Sequence, residues 1–139
     1  MMDDTEFRQS VALLDIYKAQ LDGLAQQAQI FQMSLEEALK ARETMKAFLD
    51  AKEGEELLIP IGGASFIPAK VTGSKKAIVG IGNRISAEKD LNDAVAYMDE
   101  SVKDISEALK KTGETISETE MSLRNLSLTV QQEYQRRQQ

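Results

Sequence analysis

Few residues in this chain could carry out chemistry unaided. It has 139 residues, none of them His or Cys. That removes the side chain that titrates near neutral pH, the thiolate nucleophile and, with them, the common zinc-ligand sets. Carboxylates, lysines and serines remain, so catalysis is disfavoured rather than excluded, yet no pair or triad of them suggests a reaction. Gly80 and Gly82 form a lone Gly-x-Gly with neither a helix start nor a Gly-rich phosphate loop after it, so nucleotide binding does not follow. No cofactor and no metal site is implied. The lack of Cys leaves no disulfide framework, which fits a reducing interior.

Charge narrows the partners. The formal net charge is −6. Residues 1–53 hold six Lys/Arg against ten Asp/Glu, residues 54–90 five against four, and residues 91–139 six against nine. The flanks are acidic and the middle is near neutral. Phosphate backbones reward clustered Lys/Arg, so nucleic acid is a poor partner. The opening MMDDTEFRQS lacks a basic region followed by an apolar stretch, so no signal peptide is expected. Nor does any apolar run approach the length of a membrane span. The expected location is the cytoplasm.

Punctuation residues divide the chain into three. Both prolines (Pro60, Pro68) and six of the eight glycines lie between residues 54 and 82, and the flanks hold only Gly23 and Gly113. The first flank repeats at alternating three- and four-residue spacing: Phe7, Ser10, Leu14, Tyr17, Leu21, Leu24, Ala28, Phe31, Leu35, Ala38, Arg42, Met45, Leu49. Eleven of these thirteen are apolar or Tyr. The second runs Leu91, Val95, Met98, Val102, Ile105, Leu109, Thr112, Ile116, Thr119, Leu123, Leu126, Val130, Glu133, with ten of thirteen apolar. A narrow stripe held this long is the coiled-coil pattern; a helix packed on a globular core shows a wider one. Each flank spans about 65 Å as α-helix. Two arms of equal length joined by a short block can zip together antiparallel, which places Leu49 near Leu91 and Leu14 near Leu126.

The middle reads as short strands, Glu56–Ile61, Ser65–Thr72, Ala77–Gly82 and Arg84–Glu88, with turns at Gly62-Gly63, Gly73-Ser74 and Gly82-Asn83. Two hairpins follow. Isolated hairpins are marginal in water, and Pro60 and Pro68 suit edge or bulged positions. The block is therefore expected to complete its sheet with strands from other subunits, through Leu58, Ile59, Ile61, Phe66, Ile67, Val71, Ile78, Val79, Ile81 and Ile85. The expected fold class is α+β, mostly α. It is a single unit, with helix over 1–53, two hairpins over 54–90 and helix over 91–139.

An arm, two hairpins and a second arm in this order resemble the alpha class of prefoldin subunits. The specific part is the central block. Leu57-Leu58-Ile59-Pro60-Ile61-Gly62 followed by Ser65-Phe66-Ile67-Pro68-Ala69-Lys70-Val71 looks like that class's first hairpin. Ile81-Gly82 and Glu88-Lys89-Asp90-Leu91 look like its second hairpin entering the C-terminal helix. One departure is Gly82-Asn83-Arg84, where the class often has Gly-small-Gly. The beta class, with one hairpin, would leave residues 73–88 over. The resemblance implies a hexamer of two alpha and four beta-class subunits whose hairpins close an intersubunit β-barrel. It implies an ATP-independent chaperone, not an enzyme, that captures unfolded proteins at its coiled-coil tips and passes them to a group II chaperonin. A chain with little beyond the arms looks archaeal. The rival reading is a structural or adaptor subunit of a prefoldin-like complex with a fixed folded partner.

The antiparallel register makes residues 1–17 and 123–139 the tip. The client-binding candidates there are Met1, Met2, Phe7, Val11, Leu13, Ile16, Leu126, Leu128, Val130 and Tyr134. They read either as an adaptable patch for apolar segments or as scattered surface apolars and helix-end packing. The register also sets Thr112 opposite Ala28, with Gly23 and Gly113 about one turn apart. That is either a soft joint or a tolerated local weakness.

Overall fold

The computed structural model describes residues 2–139. In chain order the elements are α1 (Asp4–Asp50), β1 (Glu56–Gly62), β2 (Ser65–Lys70), β3 (Lys76–Gly82), β4 (Ile85–Asp90) and α2 (Leu91–Arg137). The chain divides into two compact units, one of residues up to Met33 with Ser106–Gln139, the other Ser34–Ile105.

α1 starts in a reciprocal cap. Asp3 Oδ1 accepts the Glu6 N–H at 2.8 Å and Glu6 Oε2 accepts the Asp3 N–H at 3.2 Å, satisfying two donors that a helix start leaves without partners. Both helices run unbroken through Gly23 and Gly113. The heptad positions of both helices are all half-buried or buried, because a stripe with two apolar places per heptad can leave water only against another such stripe. Within the first unit the start of α1 meets the end of α2, as Arg137 Nη1 lies 2.6 Å from Asp4 Oδ1. Within the second, Arg42 pairs with Asp99. The two contacts define an antiparallel pair in the register that the heptads predict.

The polar seam positions have physical reasons. Arg42 reaches across the seam to the Asp99 carboxylate. Buried Thr112 donates its hydroxyl to the Ala108 carbonyl at 2.9 Å, and Thr119 donates to Thr115 at 2.8 Å. Each satisfies its own polar group on the preceding turn and needs nothing from the opposite helix.

β1 pairs with β2 and β3 with β4, both antiparallel, as two separate two-stranded sheets. The turns fall one residue later than the sequence suggests. Gly62 pairs with Ser65 and Gly82 with Ile85, so the loops are Gly63-Ala64 and Asn83-Arg84. Both loop residues have positive φ in each hairpin, 57° and 56° in the first and 50° and 60° in the second, as a two-residue turn matched to strand twist requires. A register shift precedes each turn, between Pro60 and Gly62 and between Gly80 and Gly82. The extra residue is absorbed by Gly62 (φ 97°) and Gly82 (φ 108°), a conformation that glycine reaches without steric cost. β2 stops at Lys70 instead of Thr72. Beyond it Val71 turns back to the α1–β1 loop, its carbonyl taking the Gly54 N–H at 2.7 Å and its N–H reaching Glu55 O at 2.9 Å.

The described apolar side chains that are buried, Ala51, Val71, Val79, Leu91, Ala94 and Val95, all lie in the second unit where the helices meet the hairpins. One side chain locks that junction. α1 carries no cation in its own last turn, so its last carbonyls face the negative end of the helix dipole unaided. Lys75, in the link between the hairpins, supplies the charge. Its Nζ donates to Phe48 O at 2.6 Å and also to the carbonyl of Ala51, with Leu49 O at 3.4 Å. Its own carbonyl accepts the Leu91 N–H at 2.9 Å, so one residue finishes α1 and begins α2. Lys75→Met keeps the stem and removes the donor. It should weaken the end of α1 by about 1–2 kcal/mol, read as roughly tenfold faster amide exchange over residues 48–51.

Candidate interaction surfaces

Two kinds of surface emerge, one in each unit. In the second, register and alternation give each hairpin two faces. Leu57, Ile59, Ala69 and Ile67 share one face of the first hairpin; Leu58, Pro60, Pro68 and Phe66 share the other. In the second hairpin Ala77, Val79, Ala87 and Lys89 share the inward face, opposite Ile78 and Gly80. Of the assembly candidates, Leu58, Ile61, Phe66, Ile67, Ile78, Ile81 and Ile85 are exposed, Ile78 at 79%. Ile59 is half-buried. Val71 and Val79 correct the expectation. They are 3% and 1% exposed, because Val79 sits on the inward face and Val71 joins the junction core. They hold this subunit together and are not free to meet another. Both strands of a two-stranded sheet carry an unpaired edge, the form that recruits further strands.

In the first unit, Arg137 organises the ends of the helices. Beyond Asp4, it donates from Nη2 to Met2 O at 3.1 Å and from Nε to Glu133 Oε1 at 3.0 Å. Its guanidinium lies 4.6 Å over the Phe7 ring, a cation–π contact. Glu133, only 7% exposed, also accepts from Arg136 Nε at 3.0 Å. This explains a carboxylate in the seam, since a buried charge is tolerable only when paired. Hydrogen bonding by Arg136 holds the Glu133 carboxyl below its usual range. The Arg137 hydrogen bond, aided by its charge, does the same for Asp4.

The tip candidates separate accordingly. Phe7, Leu126 and Val130 lie half-buried in the seam, and Met2 and Leu13 are half-buried beside it. Val11, Ile16, Leu128 and Tyr134 are exposed. Met1 lies outside the described residues. Within this unit three exposed large apolar residues fall outside the candidate set: Ile30 and Met33 at 63% and 58%, and Met121 at 63%. They stand away from both the seam and the ends, where a search along the heptads does not look. The available signal was heptad spacing off the seam, with Ile30 two heptads beyond Ile16, Met33 three residues beyond Ile30, and Met121 one heptad before Leu128.

This arrangement defines a class of protein, a coiled-coil subunit with an edge-bearing β block and apolar residues off its seam. Residues 17–136 match the family described as prefoldin subunit, and the chain belongs to the prefoldin family. The curated relatives that it resembles include alpha subunits. It is 33% identical over 100 residues to prefoldin subunit alpha of Methanococcus aeolicus, covering 72% of this chain and 67% of that one. It is 32% identical over 106 residues to prefoldin subunit alpha 1 of Thermococcus kodakarensis, covering 75% and 72%. Its fold matches a chain of filamentous PFD from Methanocaldococcus jannaschii, seen by cryo-EM, with TM-score 0.63 and 23% identity over 83% of this chain and 95% of that one. It also matches the prefoldin beta subunit from Thermococcus strain KS-1, with TM-score 0.57 and 16% identity over 91% and 90%. As a member of this family the chain is a chaperone subunit, not an enzyme. No helix among the described residues is long and apolar enough to cross a membrane.

The Arg137 cluster has a defined pH response. Both carboxyls are more acidic folded than unfolded, so their contribution is complete above the ordinary carboxylate values. It is lost as pH falls through the lower folded ones. Acidification below about pH 4 should loosen residues 2–10 and 130–137 first, seen by NMR as loss of the slowed Arg137 Hε and shifted amides there. Arg137→Leu should loosen residues 2–10 at neutral pH and remove the Asp4 part of the acid step, leaving the part that Arg136 confers on Glu133.

Proposed function

We propose that this subunit captures unfolded proteins through the exposed apolar residues at the start of α1 and the end of α2. Its hairpins join beta-class subunits, two of this chain with four partners, into a β-barrel base. The observation that carries the capture site is the set Val11, Ile16, Leu128 and Tyr134. These stay in water although the seam beside them is filled. Apolar side chains that leave about half of their surface in water offer contact to the same kind of surface on a non-native chain. The contact is sequence-tolerant and needs no nucleotide. The assembly reading is supported by exposed Leu58, Phe66 and Ile78 on unpaired edges. Beside the first hairpin an open cleft of about 460 Å³, lined by Ala47, Phe48, Ile59, Pro60 and Phe66 among others, could seat a partner's side chains. Release to a group II chaperonin in the cytoplasm completes the proposal, on the strength of the family.

Co-expression with a beta-class subunit tests both halves. Val11, Leu128 and Tyr134 all changed to Ser should reduce suppression of a denatured client's aggregation at least about threefold, by light scattering, with the native mass unchanged. Ile78→Lys should instead lower the native mass by preventing assembly. Full suppression by the triple variant would refute the capture site, and unchanged mass for Ile78→Lys the hairpin interface.

A further inference from the structure

α1 carries a second stripe, opposite its filled seam. Ile16, Ala19, Gly23, Gln26, Ile30 and Met33 repeat at the same alternating three- and four-residue spacing. Helix geometry places them on the side turned away from α2, and all six are exposed. Ile16, Ile30 and Met33 are large and apolar, at 51%, 63% and 58% exposure. Ala19 and Gly23 between them leave a hollow. No charged residue occurs between Asp22 and Glu36, a run of neutral surface unusual in a chain that is 29% charged.

We infer that this face is an unfilled helix seam that binds amphipathic helices in non-native clients, those with basic residues flanking their apolar stripe. The inference rests on the chaperone reading and deepens it, naming the form of client and adding a site beyond the helix ends. Spacing identifies the shape of the occupant. Residues repeating at three and four match the knobs of another helix, whereas an extended segment offers alternate residues and finds no matching row. Size agrees, since Ala19 and Gly23 carry little bulk and the space beside Gly23 is open, so a knob of a second helix can approach the backbone there. Charge identifies the flanks. Asp15 and Asp22 border one side of the stripe, seven residues apart, and Gln20 and Gln27 border the other. Among the described residues the ion pairs of this unit lie elsewhere, at Asp4, Glu133, Arg136 and Arg137. Basic flanks on the client helix would meet the two aspartates, and acidic ones would be repelled. Met33 adds a side chain that adapts to different knobs.

The test uses the complex assembled with its beta-class subunit and fluorescent synthetic peptides. One has Leu at three- and four-residue spacing with Lys flanks. A second has the same composition with Leu and Lys alternating. A third carries Glu in place of Lys. Anisotropy should show the first binding about tenfold tighter than either other peptide. Ile30→Gln with Met33→Gln should weaken it at least about fivefold, with circular dichroism and native mass unchanged. Asp15→Lys with Asp22→Lys should reverse the preference between the Lys and Glu peptides. Equal binding of the alternating peptide, or unchanged affinity in the double Gln variant, would overturn the inference. So would a change in assembly mass without a change in affinity, which would make the occupant another copy of the chain. Client aggregation assays on the same samples separate the two readings. Suppression that persists while helix selectivity is absent defeats this inference alone, and no suppression by the unmodified complex defeats the capture reading itself.

Discussion

The structure depends on the narrowness of two stripes. A helix with only two apolar positions per heptad cannot line a globular core, and it loses its apolar surface to water only by lying against a helix with the same pattern. That constraint makes α1 and α2 partners, fixes their antiparallel direction through the link between them and sets their register. Few residues are fully buried, since a two-helix seam shields side chains from the flanks only in part. Polar residues enter it on terms that each meets locally: Arg42 with Asp99, Thr112 with its own helix, Glu133 with two arginines.

The seam alone would fray where the helices end, and the two units solve this differently. In the second, six small apolar side chains form a core that neither helix could supply alone, and the ammonium of Lys75 closes the open carbonyls of α1. In the first, the closure is electrostatic, with Arg137 joining Met2, Asp4, Phe7 and Glu133. Rigidity through packing suits a block that must present strands to partners, and charge pairing at a largely exposed end is held more loosely. The division bears on the proposed function, for the end assigned to clients in that proposal is the one with no buried apolar side chain among the described residues.

Much of this was legible from the residues. Heptad spacing fixed both helices position by position, because burial in a two-helix seam follows period alone. Gly62, Gly63, Gly82 and Asn83 marked the hairpin turns within one residue. The family was legible in the central block. Contacts made by side chains far apart in sequence were not. Nothing local in the sequence says that Lys75 reaches back to Phe48. Val71 and Val79 look the same as Ile78 by residue type, β-branched and apolar in the central block, but tertiary packing buries them. Ile30 and Met33 were missed for another reason. A second period on the same helix is hidden once the first has explained it.

The central claim is that contact with unfolded chains and contact with partner subunits belong to different surfaces of this chain. The most direct measurement places a photo-crosslinking residue at Leu128 and, separately, at Ile78, in the assembled complex with a denatured client. The account predicts client adducts at Leu128 and partner-subunit adducts at Ile78. Client adducts at Ile78 with none at Leu128 would contradict it.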